Sequence, residues 1–87
     1  MNNEPDMILA TIECPNEKVS IDMELPANIP VGNMADKILE VLKNMYAGLF
    51  SSWTKCFLIY NNRILNNNET MLSAGIYDGG YIYVAKL

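Results

Sequence analysis

The fold is decided by residues 18–46, which read KVSIDMELPANIPVGNMADKILEVLKNMY. Over residues 18–25, apolar and polar side chains alternate without a break, which is typical of a strand with one buried face. The apolar side of this strand consists of Val19, Ile21, Met23 and Leu25.

After the proline-bounded connection, the apolar spacing lengthens to three and four residues, which predicts an amphipathic helix over about residues 31–46. The apolar side of this helix consists of Met34, Ile38, Val41, Leu42 and Met45. Gly48 is expected to end the helix, because glycine enters the left-handed cap conformation without a steric penalty.

The flanking residues predict four more strands. Residues 7–14 are rich in β-branched and aliphatic side chains, and a turn at Pro15–Glu17 joins them to residues 18–25 as a hairpin. Beyond the helix, residues 55–61 and 63–65 predict two strands around an Asn61-Asn62 turn, followed by an asparagine loop at 66–68.

The remaining residues predict a late turn and a last strand. Residues 70–76 are expected to form one helical turn around Leu72. Asp78-Gly79-Gly80 then turns the chain into the final strand, residues 81–87.

A helix and a sheet that each have one apolar face bury those faces against each other, so the sequence predicts a two-layer α+β domain. The order ββαββ, with a late helical turn and a final strand, is that of the β-grasp fold, in which the first and last strands lie side by side at the sheet centre. With 87 residues, 51% of them hydrophobic, the chain has room for one core. We therefore expect a single domain over residues 7–87, after six disordered N-terminal residues, 1–6.

The charge balance limits the classes of partner. Ten acidic residues oppose six basic ones, so the counterion release that drives nucleic-acid binding has little to act on. No apolar run approaches the roughly 18 residues that cross a bilayer, and the first residues lack the features of a signal peptide. We expect a cytoplasmic protein with no nucleic-acid binding and no membrane insertion, in which Cys14 and Cys56 are reduced and packed as small apolar side chains.

Few side chains are suited to catalysis or to ligand binding. The chain has no histidine, which is the commonest general base and the usual partner of a nucleophilic serine or cysteine. The two cysteines lack C-x-x-C spacing and are too few for a structural zinc site. The carboxylate pairs Asp22/Glu24 and Asp36/Glu40 fall on surfaces predicted to be solvated. We therefore expect no enzyme activity, no cofactor and no metal.

Strand alternation also predicts a second apolar face. The strand residues expected to face the helix are Ile8, Ala10, Ile12, Leu58, Ile82 and Val84, and those expected to point outward are Leu9, Phe57, Ile59, Tyr81 and Tyr83. Exposed apolar clusters with tyrosine are typical of protein-binding surfaces. Two alternatives stay open: the side chains are scattered exposed hydrophobics, or the segment 47–54 covers them or is itself the contact surface.

Two parts of the chain resemble known families. Residues 58–65, LIYNNRIL, and 69–80, ETMLSAGIYDGG, are similar to the second half of a ubiquitin-like domain, in which a G-I-x-D-G turn precedes the last strand. More narrowly, residues 24–33, ELPANIPVGN, resemble the LPxxxPV segment of the YukD/EsaB family. That family consists of small ubiquitin-like proteins of the bacterial type VII (WXG100) secretion system.

The resemblance implies a non-conjugated ubiquitin-like adaptor, an accessory or regulatory component that contacts other proteins of the secretion machinery. Ubiquitin-like modifiers are attached through a flexible C-terminal Gly-Gly, whereas residues 84–87 are expected to lie inside the last strand and Gly79-Gly80 to form a plain turn. The alternative is a small structural subunit of a multicomponent enzyme complex such as a monooxygenase. The outward face also allows two copies of the chain to pair as a homodimer.

Overall fold

The first two strands form a hairpin in which each contributes one buried face. The structure is a computed structural model that describes residues 7–87; the predicted disorder of residues 1–6 lies outside the described residues. Strands β1 (Met7–Cys14) and β2 (Val19–Pro26) are antiparallel along their whole length. A 3-10 turn at Pro15–Glu17 joins them and ends at Lys18, whose backbone is left-handed with φ at 57°. The predicted hairpin is confirmed.

Helix α1 spans Val31–Met45, one residue shorter than predicted. Its buried side consists of Val31, Met34, Ala35, Ile38, Leu39 and Leu42. The predicted set lacked Val31, Ala35 and Leu39; of its members, Val41 is only partly buried and Met45 is 58% exposed. Met45 is the last helical residue, and Phe50 and Trp53 fill the core beyond it.

The N-terminus of α1 is capped by the asparagine loop. Without a side-chain cap, the Val31 N–H donates to the Glu69 carbonyl at 2.7 Å and the Gly32 N–H to the Asn67 carbonyl at 3.1 Å. The next two N–H groups bond to the Pro30 carbonyl at 3.0 and 3.1 Å. The N-cap Pro30 has no N–H, so the start of this helix leaves three N–H groups without an i−4 partner, those of Val31, Gly32 and Asn33, and all three are bonded.

The helix ends differently from the prediction for Gly48. The C-cap residue of the helix is Tyr46, which has a φ of −132°. Its N–H donates a hydrogen bond to the Leu42 carbonyl at 2.8 Å. Left-handed glycine occurs in residues 7–87 at Gly75 and Gly79, and Gly48 does not adopt it. Tyr46 packs edge-to-face on Phe50, with ring centroids 6.2 Å apart, and the helix ends two residues before the glycine.

Three further strands complete a five-stranded sheet. They are β3 (Cys56–Tyr60), β4 (Arg63–Ile64) and β5 (Gly80–Lys86), and the order across the sheet is β2-β1-β5-β3-β4. β5 runs parallel to β1 and antiparallel to β3, which confirms that the last strand lies in the middle. Asn61 and Asn62 take φ values of 56° and 64°, as expected for a tight hairpin turn with asparagine at its centre.

The late turn is confirmed in position. Its fully buried side chain is that of the residue before Leu72. The Ala74 N–H donates to the Thr70 carbonyl at 2.9 Å, and Gly75 follows with φ at 81°. Met71 is fully buried, whereas the predicted Leu72 is only partly buried. Two adjacent apolar side chains compete for the inward position, and the local pattern does not distinguish them.

The core lies between α1 and one face of the sheet. All six strand residues expected to face the helix are buried: Ile8, Ala10, Ile12, Leu58, Ile82 and Val84. On β2, Val19 and Leu25 are buried, but Ile21 and Met23 are only partly buried. This difference arises because β2 is an edge strand and α1 lies closer to β3.

Candidate functional site: the outer face of the sheet

The face of the sheet opposite the helix carries an apolar cluster. Each of the five predicted side chains alternates along its strand with a buried residue on at least one side. Leu9, Tyr81 and Tyr83 are 47%, 57% and 45% exposed, and Phe57 and Ile59 are partly buried. The alternation therefore places these residues where the sequence predicted.

Strand register adds a sixth residue that the sequence did not reveal. Ile59 lies opposite Tyr83 on one side and opposite Ile64 of β4 on the other. Residues directly opposite each other share a face, and Ile64 is 60% exposed. Ile64 stands in a two-residue strand, too short for alternation to show its direction. We call the set the outer patch: Leu9, Phe57, Ile59, Ile64, Tyr81 and Tyr83.

Carboxylates border the outer patch on the side of β1 and β2. Glu13 lies opposite Tyr83 in the parallel β1–β5 pair and accepts a hydrogen bond from the Ser20 hydroxyl at 3.0 Å. Asp22 accepts one from the Thr11 hydroxyl at 2.7 Å. Among the outward positions of the five described strands there is no lysine or arginine, so this face is apolar on one half and anionic on the other.

A groove opens at one end of the outer patch. β1 leaves the sheet at the Pro15–Glu17 turn while β5 continues, and the space between them measures about 610 Å³. Tyr83 and Ile59 of the outer patch line it together with Trp53. A partner side chain that meets the patch therefore has a concave place to enter.

The segment after the helix does not cover the outer patch. Phe50 and Trp53 are buried in the core and pack edge-to-face at 5.0 Å. Leu49 is 49% exposed, so this segment still offers one apolar side chain to a partner.

The two cysteine side chains are unsuited to nucleophilic chemistry. Both are buried free thiols. Burial, with smaller contributions from Glu17 and Glu13, raises the pKa of Cys14 to about 11. Burial and the nearby Asp36 likewise raise the pKa of Cys56 to about 11, and its thiol donates to the Ala35 carbonyl at 3.3 Å. A thiol reacts as its thiolate, so these two side chains act as packing groups at neutral pH.

Within residues 7–87, no group of three or more acidic, cysteine or histidine side chains is arranged to hold a metal ion. The carboxylates of Asp22, Glu24, Asp36 and Glu40 are exposed, as expected. Asp36 pairs with Lys55 at 3.1 Å on the surface. In the same range, α1 falls short of the length and apolar character that a membrane-crossing helix requires.

The fold and its solved neighbours define a ubiquitin-like protein. The ubiquitin-like domain of EccD5 from Mycobacterium xenopi is 21% identical with a TM-score of 0.78, covering 95% of this chain and 97% of that one. The corresponding domain of ECCD1, a type VII secretion protein of Mycobacterium tuberculosis, is 19% identical with a TM-score of 0.66, covering 92% and 98%. A chain of the MycP5-free ESX-5 inner membrane complex is 21% identical with a TM-score of 0.78, and 95% of this chain spans 21% of its length.

The family follows from the sequence match. The model of protein YukD of the WXG100 protein secretion system (Wss) matches residues 9–84, and the chain therefore belongs to the YukD family. It is a ubiquitin-like protein associated with type VII secretion. No curated protein matched the chain.

Proposed function

We propose that this chain is a cytoplasmic, non-catalytic adaptor that binds another protein of the type VII secretion machinery through the outer patch. Residues 7–87 act in this role as one ubiquitin-like domain. The observation that supports the proposal most strongly is the outer patch itself. It is an exposed apolar cluster with two tyrosines, on a sheet face that the protein's own helix does not cover.

The composition of the outer patch favours a protein partner. Tyrosine is enriched among the residues that carry most of the binding energy in interfaces, since it offers a large apolar area and a polar tip. Tyr81 and Tyr83 stand on the central strand β5, with Leu9 and Ile59 on its two neighbours. A rigid central strand presents these side chains without the entropic cost of ordering a loop.

The family match favours the secretion role over the alternative of a monooxygenase subunit. Buried thiols with raised pKa and carboxylates left in solvent support a role in binding rather than in catalysis. The structural neighbours that belong to secretion components support partners within the same machinery.

The test compares two substitutions of the same residue type at the same exposure. Leu9 in the outer patch is 47% exposed and Leu49 after the helix is 49% exposed. Purified wild type, Leu9→Ser and Leu49→Ser are titrated by calorimetry against purified cytoplasmic components of the type VII system from the same genome. We expect one component to bind wild type and Leu49→Ser equally, and Leu9→Ser about 10-fold or more weakly.

Two outcomes contradict this proposal. If Leu49→Ser loses binding while Leu9→Ser keeps it, the contact surface is the segment after the helix. If no component binds the wild-type chain, the adaptor role itself is wrong. Circular dichroism of each variant confirms that the fold is kept.

A further inference from the structure

The outer edge of β2 is a long and regular strand edge. β2 ends the sheet on one side with eight residues, whereas β4 ends it on the other with two. The register between β2 and β1 is unbroken, so no bulge bends the edge away, and the proline of β2 is its last residue, Pro26. Such an edge presents backbone N–H and C=O groups to any strand that comes alongside.

The side chains along this edge favour pairing. On the inner face, Ile21 and Met23 are only partly buried and leave apolar surface at the edge. On the outer face, Ser20, Asp22 and Glu24 are exposed. Protected edges carry charged side chains, lysine above all, or proline within the strand. Between Val19 and Leu25 there is neither lysine nor proline, and the two charges present, Asp22 and Glu24, stand on the outer face.

The sequence around Ile21 is complementary to itself. If a second copy of β2 lies antiparallel with Ile21 opposite Ile21, residues equally far before and after this position face each other. Val19 then faces Met23, and Ser20 faces Asp22. Lys18 lies just before the strand, exposed and with a left-handed backbone, so it reaches Glu24 through its long flexible side chain and not through strand pairing.

Other registers are less complementary. Centring the pair on Ser20 keeps Lys18 opposite Asp22, but it places Met23 opposite Glu17 of the turn and so pairs fewer apolar side chains. Centring the pair on Asp22 places Asp22 opposite its own copy, and centring it on Met23 places Asp22 opposite Glu24 twice. Like charges directly opposite each other destabilise a strand pair. Charge and apolar pattern therefore select the register centred on Ile21.

We propose that the chain forms a symmetric dimer through the edge of β2, centred on Ile21, which joins two sheets into one of ten strands. Opposite residues share a face, so both α1 helices cover one side and both outer patches lie together on the other side. The outer patch of each chain stays uncovered in this dimer, so the dimer offers two outer patches to partners. A single edge pairing is a small interface of the kind that forms weak, transient complexes, so we expect a dissociation constant between about 1 µM and about 1 mM.

A charge swap tests the register. The mass of the purified chain is measured by sedimentation from about 1 µM to about 1 mM, a range that brackets this affinity. Wild type is expected to rise from 9.8 kDa towards twice that mass. Lys18→Glu and Glu24→Lys each place like charges opposite each other and weaken the dimer by at least ~10-fold. Lys37→Glu, on the exposed side of α1, is the matched control and leaves it unchanged.

Mixing the two weakened variants gives the most specific result. One variant then carries two carboxylates at positions 18 and 24 and the other two ammonium groups, so a mixed dimer has opposite charges at both contacts. We expect Lys18→Glu and Glu24→Lys to associate with each other at least ~10-fold more tightly than either variant associates with itself. The double variant Lys18→Glu/Glu24→Lys pairs with itself again.

The dimer is independent of the adaptor role, because the charge variants keep the outer patch intact and should bind its partner with unchanged intrinsic affinity. A wild-type chain that stays at 9.8 kDa at every concentration overturns the proposal. A dimer that Tyr81→Thr abolishes and the charge variants do not also overturns it, since that dimer uses the outer patch.

Discussion

The carboxylate of Asp78 accepts a hydrogen bond from the backbone N–H of Leu9 at 2.8 Å, although 69 residues separate them in sequence. The next residue, Gly79, donates its own N–H to the Leu9 carbonyl at 2.8 Å with φ at 88°. The aspartate and glycine of the G-I-x-D-G turn thus bind both backbone groups of one β1 residue. Earlier in the same motif, Gly75 ends the preceding turn with φ at 81°, and Ile76 is fully buried. Gly75, Ile76, Asp78 and Gly79 therefore all have structural roles.

Replacing Asp78 by alanine is expected to lower the free energy of unfolding by about 1–2 kcal/mol, because the Leu9 N–H loses its charged acceptor. Asp78→Asn keeps an oxygen at this position and should cost less. Urea unfolding of the three proteins measures the difference. Equal losses in both variants would contradict a role for the acceptor.

The two faces of the sheet should respond differently to the same truncation. Leu58 is fully buried beneath α1, whereas Leu9 is half exposed on the outer face. Leu58→Ala is expected to cost about 2–5 kcal/mol through lost burial and a cavity, and Leu9→Ala no more than about 1 kcal/mol. Both values come from denaturant unfolding, and similar costs would mean that the outer patch belongs to a core.

The cysteines are expected to react slowly with a disulfide reagent at pH 8. Burial raises both pKa values to about 11, which lowers the thiolate fraction at least ~100-fold below that of an ordinary cysteine. The same protein in guanidinium chloride, where the thiols are solvated, is the control. Immediate reaction of the native protein would show that the thiols are accessible.

The ion pair between Arg63 and Glu69 should make stability depend on pH. Two hydrogen bonds from the guanidinium at 2.8 and 3.1 Å, and one from the Asn66 N–H at 2.7 Å, hold the pKa of Glu69 below its ordinary value. A carboxyl group whose pKa is lower in the folded state contributes stability above its unfolded pKa and loses it as the pH falls through the folded pKa. The thermal midpoint of Glu69→Gln should therefore lie below that of wild type at pH 7, and the gap should shrink below about pH 4.3.

A double-mutant cycle separates this ion pair from other effects of the substitution. In an Arg63→Gln background, Glu69→Gln is expected to lower the midpoint at pH 7 by less than it does in wild type. Additive losses would show that the two side chains do not stabilise each other.

Periodicity predicted the elements that alternate or repeat over seven or more residues: β1, β2, α1, β5 and the two faces of the sheet. It failed where a contact outside the repeating pattern is involved. Tyr46 caps the helix and packs on Phe50 before Gly48 is reached, and Ile64 joins the outer patch through its pairing with Ile59. The asparagine run gave no sign of its role, because the backbone carbonyl of Asn67, not a side chain, caps the helix together with that of Glu69.

The parallel pairing of β1 with β5 has a consequence for the way the protein is made. While a ribosome is still adding the residues of β5, β1 has no neighbour on one side and β3 lacks its partner from Cys56 to Ile59. Contacts between residues so far apart in the chain form late, so the edges of β1 and β3 that β5 occupies stay unpaired until translation has passed Lys86. During that interval, chaperones have access to surfaces that the finished molecule hides.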